Sequence, residues 1–210
     1  MVAKARLLTI AAAVTVMLGA CATPPEPPTA VFVGDSFTEG ESLPAADAGA
    51  RWSTTLATEL GWEEINAGCA GAGYTQQGAI CTTTFREQLP AYIEDSPEII
   101  VLSGGTNDVD ATGEQIAAAV RATYLSVRDT YPDATIYAVS GIASDVAPAS
   151  ALHRVNSAVA EAAEEIGAVY IDLEDALADR PELLTADGTQ PNAEGHQVLA
   201  ELTSNVIAGE

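Results

Sequence analysis

After Lys4 the 210-residue chain contains no lysine, and after Arg6 it contains only six arginines. Against 30 acidic residues those six leave a formal charge of −24 beyond residue 20, where the whole chain carries −22. A surface so short of cations repels phosphate backbones and anionic head groups, which excludes nucleic acid as a partner and a basic patch as a means of membrane docking. The missing lysine also removes the phosphate-holding side chain of a nucleotide site, and no Gly-x-Gly-x-x-Gly follows the first apolar run. Histidine is as scarce: His153 and His196 are the only two. Chemistry that needs a base titrating near neutrality must use one of them or do without. Cysteine occurs three times, at Cys21, Cys69 and Cys81, with no Cys-x-x-Cys spacing and no histidine nearby. Two thiols in that setting do not make a zinc site, so no metal and no other cofactor is expected.

What the chain does have begins with a leader. Lys4 and Arg6 precede an apolar stretch from Leu7 to Leu18, followed by small residues, the layout of a secretory signal in residues 1–20. The stretch is too short for a comfortable membrane span. Leu18-Gly19-Ala20-Cys21 resembles a bacterial lipobox, in which the cysteine becomes the N-terminus and carries acyl chains. The expected location is therefore the outer face of the cell membrane, with the lipid on Cys21 as the only membrane contact. The competing reading is an ordinary cleaved signal with an incidental cysteine. Residues 21–29 continue with a proline-rich segment whose fixed φ angles favour an extended tether. At roughly 3.1 Å per residue, its eight residues after Cys21 reach about 25 Å. In an exported chain Cys69 and Cys81 are expected to be bridged, a short-loop closure worth roughly 3 kcal/mol.

Residues 30–210 amount to one domain, with a monomer as the expected state. Short apolar runs at 30–34, 64–66, 98–103, 135–140 and 168–173 alternate with longer segments of helical period. Ala30-Val31-Phe32-Val33 and Ile99-Ile100-Val101-Leu102 are apolar at every position, as strands covered on both faces are. Ile116, Val120, Tyr124, Val127 and Tyr131 form one helical stripe; Leu152, Val155, Val159, Ala162 and Ile166 form another. Further helices fit 48–60, 85–93 and 192–208. The pattern predicts an α/β domain, a five-stranded parallel sheet between two helix layers, with function at the carboxyl ends of the strands.

Three of those strand ends carry chemistry. The first runs into Gly34-Asp35-Ser36, where a serine at the start of a turn or helix exposes its hydroxyl and offers its own N–H to an anion. Gly-Asp-Ser is also ordinary turn chemistry. The second ends in Gly68-Cys69-Ala70-Gly71, whose glycines leave backbone N–H groups unobstructed. The third ends in Gly105-Thr106-Asn107-Asp108, placing a donating carboxamide at the same edge. Together these blocks resemble the SGNH, or GDSL-type, hydrolases over essentially the whole domain. That resemblance implies a flavodoxin-like three-layer αβα sheet, with Ser36 as nucleophile and first oxyanion donor. Gly71 and Asn107 would be the second and third donors, and small acyl esters or acetylated glycans or lipids the substrates.

The last block departs from the family. Its pattern is Asp-x-x-His before the C-terminal helix, and this chain reads Asp187-Gly188-Thr189-Gln190. Asp187 takes the place of the orienting carboxylate, and Gln190 takes the place of the base. An amide holds a hydrogen bond but does not accept and return a proton near neutral pH. His153, at the start of a helix on the site edge, and His196, six residues past Gln190, are the candidate substitutes. Two functions remain open: an acyl or acetyl esterase with impaired or rerouted base catalysis, and a non-catalytic lipoprotein that binds an acyl or acetylated ligand. An α/β-hydrolase elbow is disfavoured because Gly-x-Ser-x-Gly is absent around Ser36.

Overall fold

Apolar residues at consecutive strand positions divide between two faces, and that division builds the domain. In a computed structural model, which describes residues 25–92, 96–144 and 147–209, the first strand, β1 (Thr29–Gly34), lies inside the sheet with a strand on each side. Its neighbours are β2 (Glu63–Gly68) and β3 (Ile99–Ser103), followed outward by β4 (Thr135–Val139) and β5 (Val169–Ile171). The sheet order is β2-β1-β3-β4-β5 with every pair parallel. The expected signal segment 1–20, Cys21 and the first part of the tether lie outside the described residues.

Val31, Val33, Ile100, Leu102 and Ile136 point to one face, where they pack with Leu89 of α3 (Phe85–Tyr92), Val120 and Tyr124 of α4 (Gly113–Thr130), and Val155 and Val159 of α5 (Ala149–Ile166). Phe32, Val101, Val139 and Ile171 point to the other face, against Trp52 and Leu56 of α2 (Trp52–Leu60) and Leu199 of α6 (Ala193–Ala208). Both faces of the sheet are thus covered, the condition under which continuous apolar strands are stable. Phe32 and Trp52 meet edge to face at 5.6 Å between ring centroids. The three-layer parallel sheet expected from the pattern is what forms.

Two expectations need correction. The helix predicted over 48–60 is broken at Arg51, whose extended backbone (φ −58°, ψ 143°) separates a 3₁₀ segment from α2. Arg51 supplies no side-chain cap; instead the Trp52 N–H donates to Nδ1 of His196 on α6 at 3.3 Å. A contact between residues 144 positions apart sets that boundary, and no local pattern encodes it. The last strand is three residues rather than six. Past Ile171 the chain turns: Glu174 N–H bonds to Asp172 Oδ1, and the Leu173 N–H goes to Ser140 Oγ.

Candidate active site

β1 ends at Gly34, and the extended Asp35 caps the next turn by accepting from the Phe37 N–H at 3.0 Å. Ser36 is therefore the first residue of the one-turn helix α1 (Ser36–Glu39), where its N–H has no intrahelical acceptor. Its Oγ accepts a hydrogen bond from Gln190 Nε2 at 3.0 Å. Gln190 reaches that point from a narrow hairpin, in which Leu184 pairs with Pro191 and the Thr185 N–H donates to the Gln190 carbonyl at 2.8 Å. The Gln190 Oε1 is buried without a partner among the described residues. Either orientation of this amide holds the serine hydroxyl, and neither removes its proton.

Gly34 stands in register with Gly68 of β2 and Ser103 of β3. Ser36, Gly71 and Asn107 lie two, three and four residues beyond that common line, at one edge of the sheet. Gly71 adopts φ +79°, and among the described residues nothing accepts its N–H. Asn107 Nδ2 donates to the carbonyl of Ala72 at 2.8 Å, so the carboxamide touches the residue next to Gly71 and keeps a second hydrogen to give.

Sequence reasoning missed the residues that hold these donors still. Glu39, at the far end of the helix that Ser36 begins, accepts from the Ala70 N–H at 2.6 Å and so ties α1 to the Gly71 loop. Asp108 is fully buried and accepts from the Tyr74 N–H at 2.9 Å and from both the N–H and hydroxyl of Thr75 at 2.6 Å. Successive residues 107 and 108 thereby grip 72–75 from β3. The available signal was an acid close to each reactive residue: Glu39 three positions after Ser36, and Asp108 directly after Asn107. The Cys69–Cys81 disulfide forms as expected and closes the segment that contains Gly71. Gly78 lies beneath it, where an added Cβ would meet both sulfurs at 2.4 and 2.5 Å. Gly68 is needed for packing as well: a Cβ there would stand 2.3 Å from the Glu39 backbone nitrogen.

The sequence profile of the GDSL-like lipase/acylhydrolase family matches residues 32–198, a span that includes every one of these groups. The chain belongs to that family. It is similar to the GDSL lipase Rv0518 of Mycobacterium tuberculosis, with 28% identity over 192 residues covering 87% of this chain and 82% of the relative. Among solved structures, a G-D-S-L lipolytic protein from Desulfitobacterium hafniense superposes with a TM-score of 0.69 at 17% identity, over 85% of this chain and 98% of that one. An active-site mutant of a family two carbohydrate esterase from Clostridium thermocellum gives a TM-score of 0.72 at 19% identity, over 89% of this chain and 65% of that one. At such identities the structural matches speak for a shared fold. The family assignment places the chain among ester hydrolases.

The side chains expected from the sequence to replace or orient a base make the following bonds. Asp187 is exposed, and its Oδ1 accepts from the hydroxyls of Thr185 and Thr189 at 2.6 and 2.8 Å and from the Thr189 N–H at 3.2 Å. Those donors hold its carboxyl below the usual carboxylate range, and it makes no hydrogen bond to the Gln190 side chain. His153, expected at the start of a helix, is the fifth residue of α5, just past its first turn; it is exposed and makes no hydrogen bond to Ser36. His196 is fully buried; its Nδ1 accepts from Trp52, leaving Nε2–H to face Ser42 Oγ at 3.5 Å. Ser42 in turn donates to the carbonyl of Pro191 at 2.6 Å, so the imidazole supports the hairpin that bears Gln190. It does not touch Ser36. Beside this hairpin, the loops after β4 and β5 enclose a cleft of about 590 Å³ lined by Ser144, Leu177, Arg180, Leu184, Thr185 and Asp187, among others.

Two buried groups near the site titrate out of their ordinary ranges, in opposite senses. Burial, with the Asp108 charge adding to it and the Phe37 N–H opposing it, pushes Asp35 up from 3.8 to about 7. Burial and the Arg51 charge press His196 down from 6.5 to about 4. The Asp35 contribution to stability is full below pH 3.8 and is lost as pH rises through about 7. That of His196 is full above pH 6.5 and is lost as pH falls through about 4. The two slopes oppose each other, so the melting temperature of the native chain is expected to vary little over this interval. Asp35→Asn should leave a melting temperature that rises with pH, and His196→Gln one that falls with pH. Melting curves of the three proteins across the interval check this; parallel profiles would show that neither group titrates as stated.

Proposed function

We propose that this chain is an exported ester hydrolase acting on small acyl or acetyl esters through an acyl-Ser36 intermediate, with Gln190 in the place of the general base. The observation that carries this reading is the Gln190–Ser36 hydrogen bond at the strand ends that also bear Gly71 and Asn107. In the proposed reaction Ser36 Oγ attacks the ester carbonyl. The oxygen that becomes negative is met by the N–H groups of Ser36 and Gly71 and by the free hydrogen of the Asn107 carboxamide. Gln190 orients the hydroxyl, and the serine proton passes to water. The similarity to a GDSL lipase and to a carbohydrate esterase favours a lipid ester or an acetylated glycan as substrate. Attachment to the outer membrane face through acylated Cys21 is part of the same proposal.

A second reading, a binding protein for an acylated ligand, is favoured by the same amide, which holds Ser36 without activating it. Hydrolysis of p-nitrophenyl acetate separates the two. The native chain is expected to release p-nitrophenolate above the rate in buffer, and Ser36→Ala is expected to abolish that excess. Equal release by both proteins would reject the hydrolase.

A further inference from the structure

The site has donors for negative charge, and among the described residues no group that hydrogen-bonds Ser36 Oγ can carry a proton: Asp35 accepts from the Phe37 N–H, and the amide of Gln190 alone meets the hydroxyl. We infer that Ser36 takes an acyl group from an activated donor, a thioester or an aryl ester, and keeps it, so that acyl-Ser36 is the predominant species whenever such a donor is present. This rests on the ester-hydrolase reading above and specifies which of its two half-reactions stalls.

Among the described residues, Gln190 is the one group that hydrogen-bonds Ser36 Oγ. His196 is committed to Trp52 and Ser42, and Asp187 to two threonines. In the first half-reaction the bond from Ser36 Oγ to the acyl carbon forms and the bond from that carbon to the leaving group breaks. The serine proton goes to water, and the leaving group departs with the electron pair. Thiols and phenols, with pKa values of about 8.5 and 10, depart as anions without help. An alkyl alkoxide is far more basic, comparable to hydroxide from water at about 15.7, and needs a proton as it leaves. The site therefore selects donors whose leaving group needs no acid.

In the second half-reaction water attacks the same carbon and Ser36 Oγ is itself the departing alkoxide. It needs the proton that a histidine would return. Gln190 Nε2–H can donate a hydrogen bond to that oxygen but cannot transfer its hydrogen. The absence of a base slows both halves, but the absence of an acid falls on deacylation alone when the donor is activated. Gly71 and Asn107 meanwhile cradle the carbonyl oxygen of the acyl-Ser36 ester, which holds it in place.

The composition of the chain makes the test clean. Its sole lysine is Lys4 in the leader, so an acetylating reagent meets no side-chain amine beyond it. The purified full-length chain in detergent is mixed with p-nitrophenyl acetate, an acetyl thioester and, for contrast, ethyl acetate. The expected result is a burst approaching one p-nitrophenolate per chain, followed by a steady rate at least about 10²-fold slower. Peptide mass analysis should find one acetyl group on Ser36 after the aryl ester or the thioester, none after ethyl acetate, and none in Ser36→Ala. Gln190→His should turn over continuously without accumulating it. Steady turnover by the native chain with no acetyl-Ser36, or a burst that acetylates another residue, would overturn the inference. Reaction by Gln190→His alone would reject the esterase reading of the native chain together with the inference, whereas steady Ser36-dependent turnover by the native chain rejects the inference alone. No reaction by either protein would remove both.

Discussion

Gln190→His is expected to raise the turnover of p-nitrophenyl acetate at least about 10²-fold. The magnitude follows from triads in which the parts have been removed one at a time. Loss of the histidine costs on the order of 10⁶, and loss of the orienting carboxylate on the order of 10⁴. A histidine restored without its carboxylate should therefore recover about 10², and one with it up to about 10⁶. Asp187 decides where in that range the variant falls. Its Oδ1 already takes three hydrogen bonds from Thr185 and Thr189, so orienting an imidazole would fall to the other oxygen. Asp187→Asn, added to Gln190→His, should lose whatever exceeds the lower bound. A folded Gln190→His protein with unchanged turnover would mean that the hydroxyl of Ser36 is not placed to attack.

Asn107→Ala is expected to slow the release of p-nitrophenolate by about 10²–10³, the usual loss on removing one oxyanion donor. The carboxamide spends one hydrogen on the Ala72 carbonyl and has one left for the developing charge. Because that second bond strengthens as the oxygen becomes negative, the loss should fall on kcat with KM little changed. A merely structural role would instead move the Gly71 loop and raise KM. Asn107→Asp should lose at least as much, since a carboxylate in that position repels the oxyanion. Release within threefold of the native rate, in a variant of unchanged melting temperature, would remove Asn107 from the site.

Much of this protein was legible before any coordinates. Ala30-Val31-Phe32-Val33 and Ile99-Ile100-Val101-Leu102 are continuous apolar runs, and two-sided burial is the physical condition that permits them. The motifs at Ser36, Gly71 and Asn107 were legible for a related reason. In a parallel sheet every strand delivers its following loop to the same edge, so a motif's place after a strand already locates it.

Other features depend on partners far away in the chain. The break at Arg51 follows from an imidazole 144 positions later, and the same contact turns His196 toward Trp52 and away from Ser36. Glu39 and Asp108 had no role assigned from sequence, yet one ties α1 to the Gly71 loop and the other is a buried clamp on residues 74 and 75. Asp187 spends its Oδ1 on its own turn, which its place three residues before Gln190 does not reveal. The general division is one of range. Apolar periodicity, turn chemistry and the kinds of reactive group are local properties, and these are enough to select the sheet, its reactive edge and the family. Which groups meet there, above all the amide of Gln190 and the hydroxyl of Ser36 across 154 positions, depends on how the helices pack on that sheet. Packing sums weak contacts over the whole chain, and no short window of residues contains that sum.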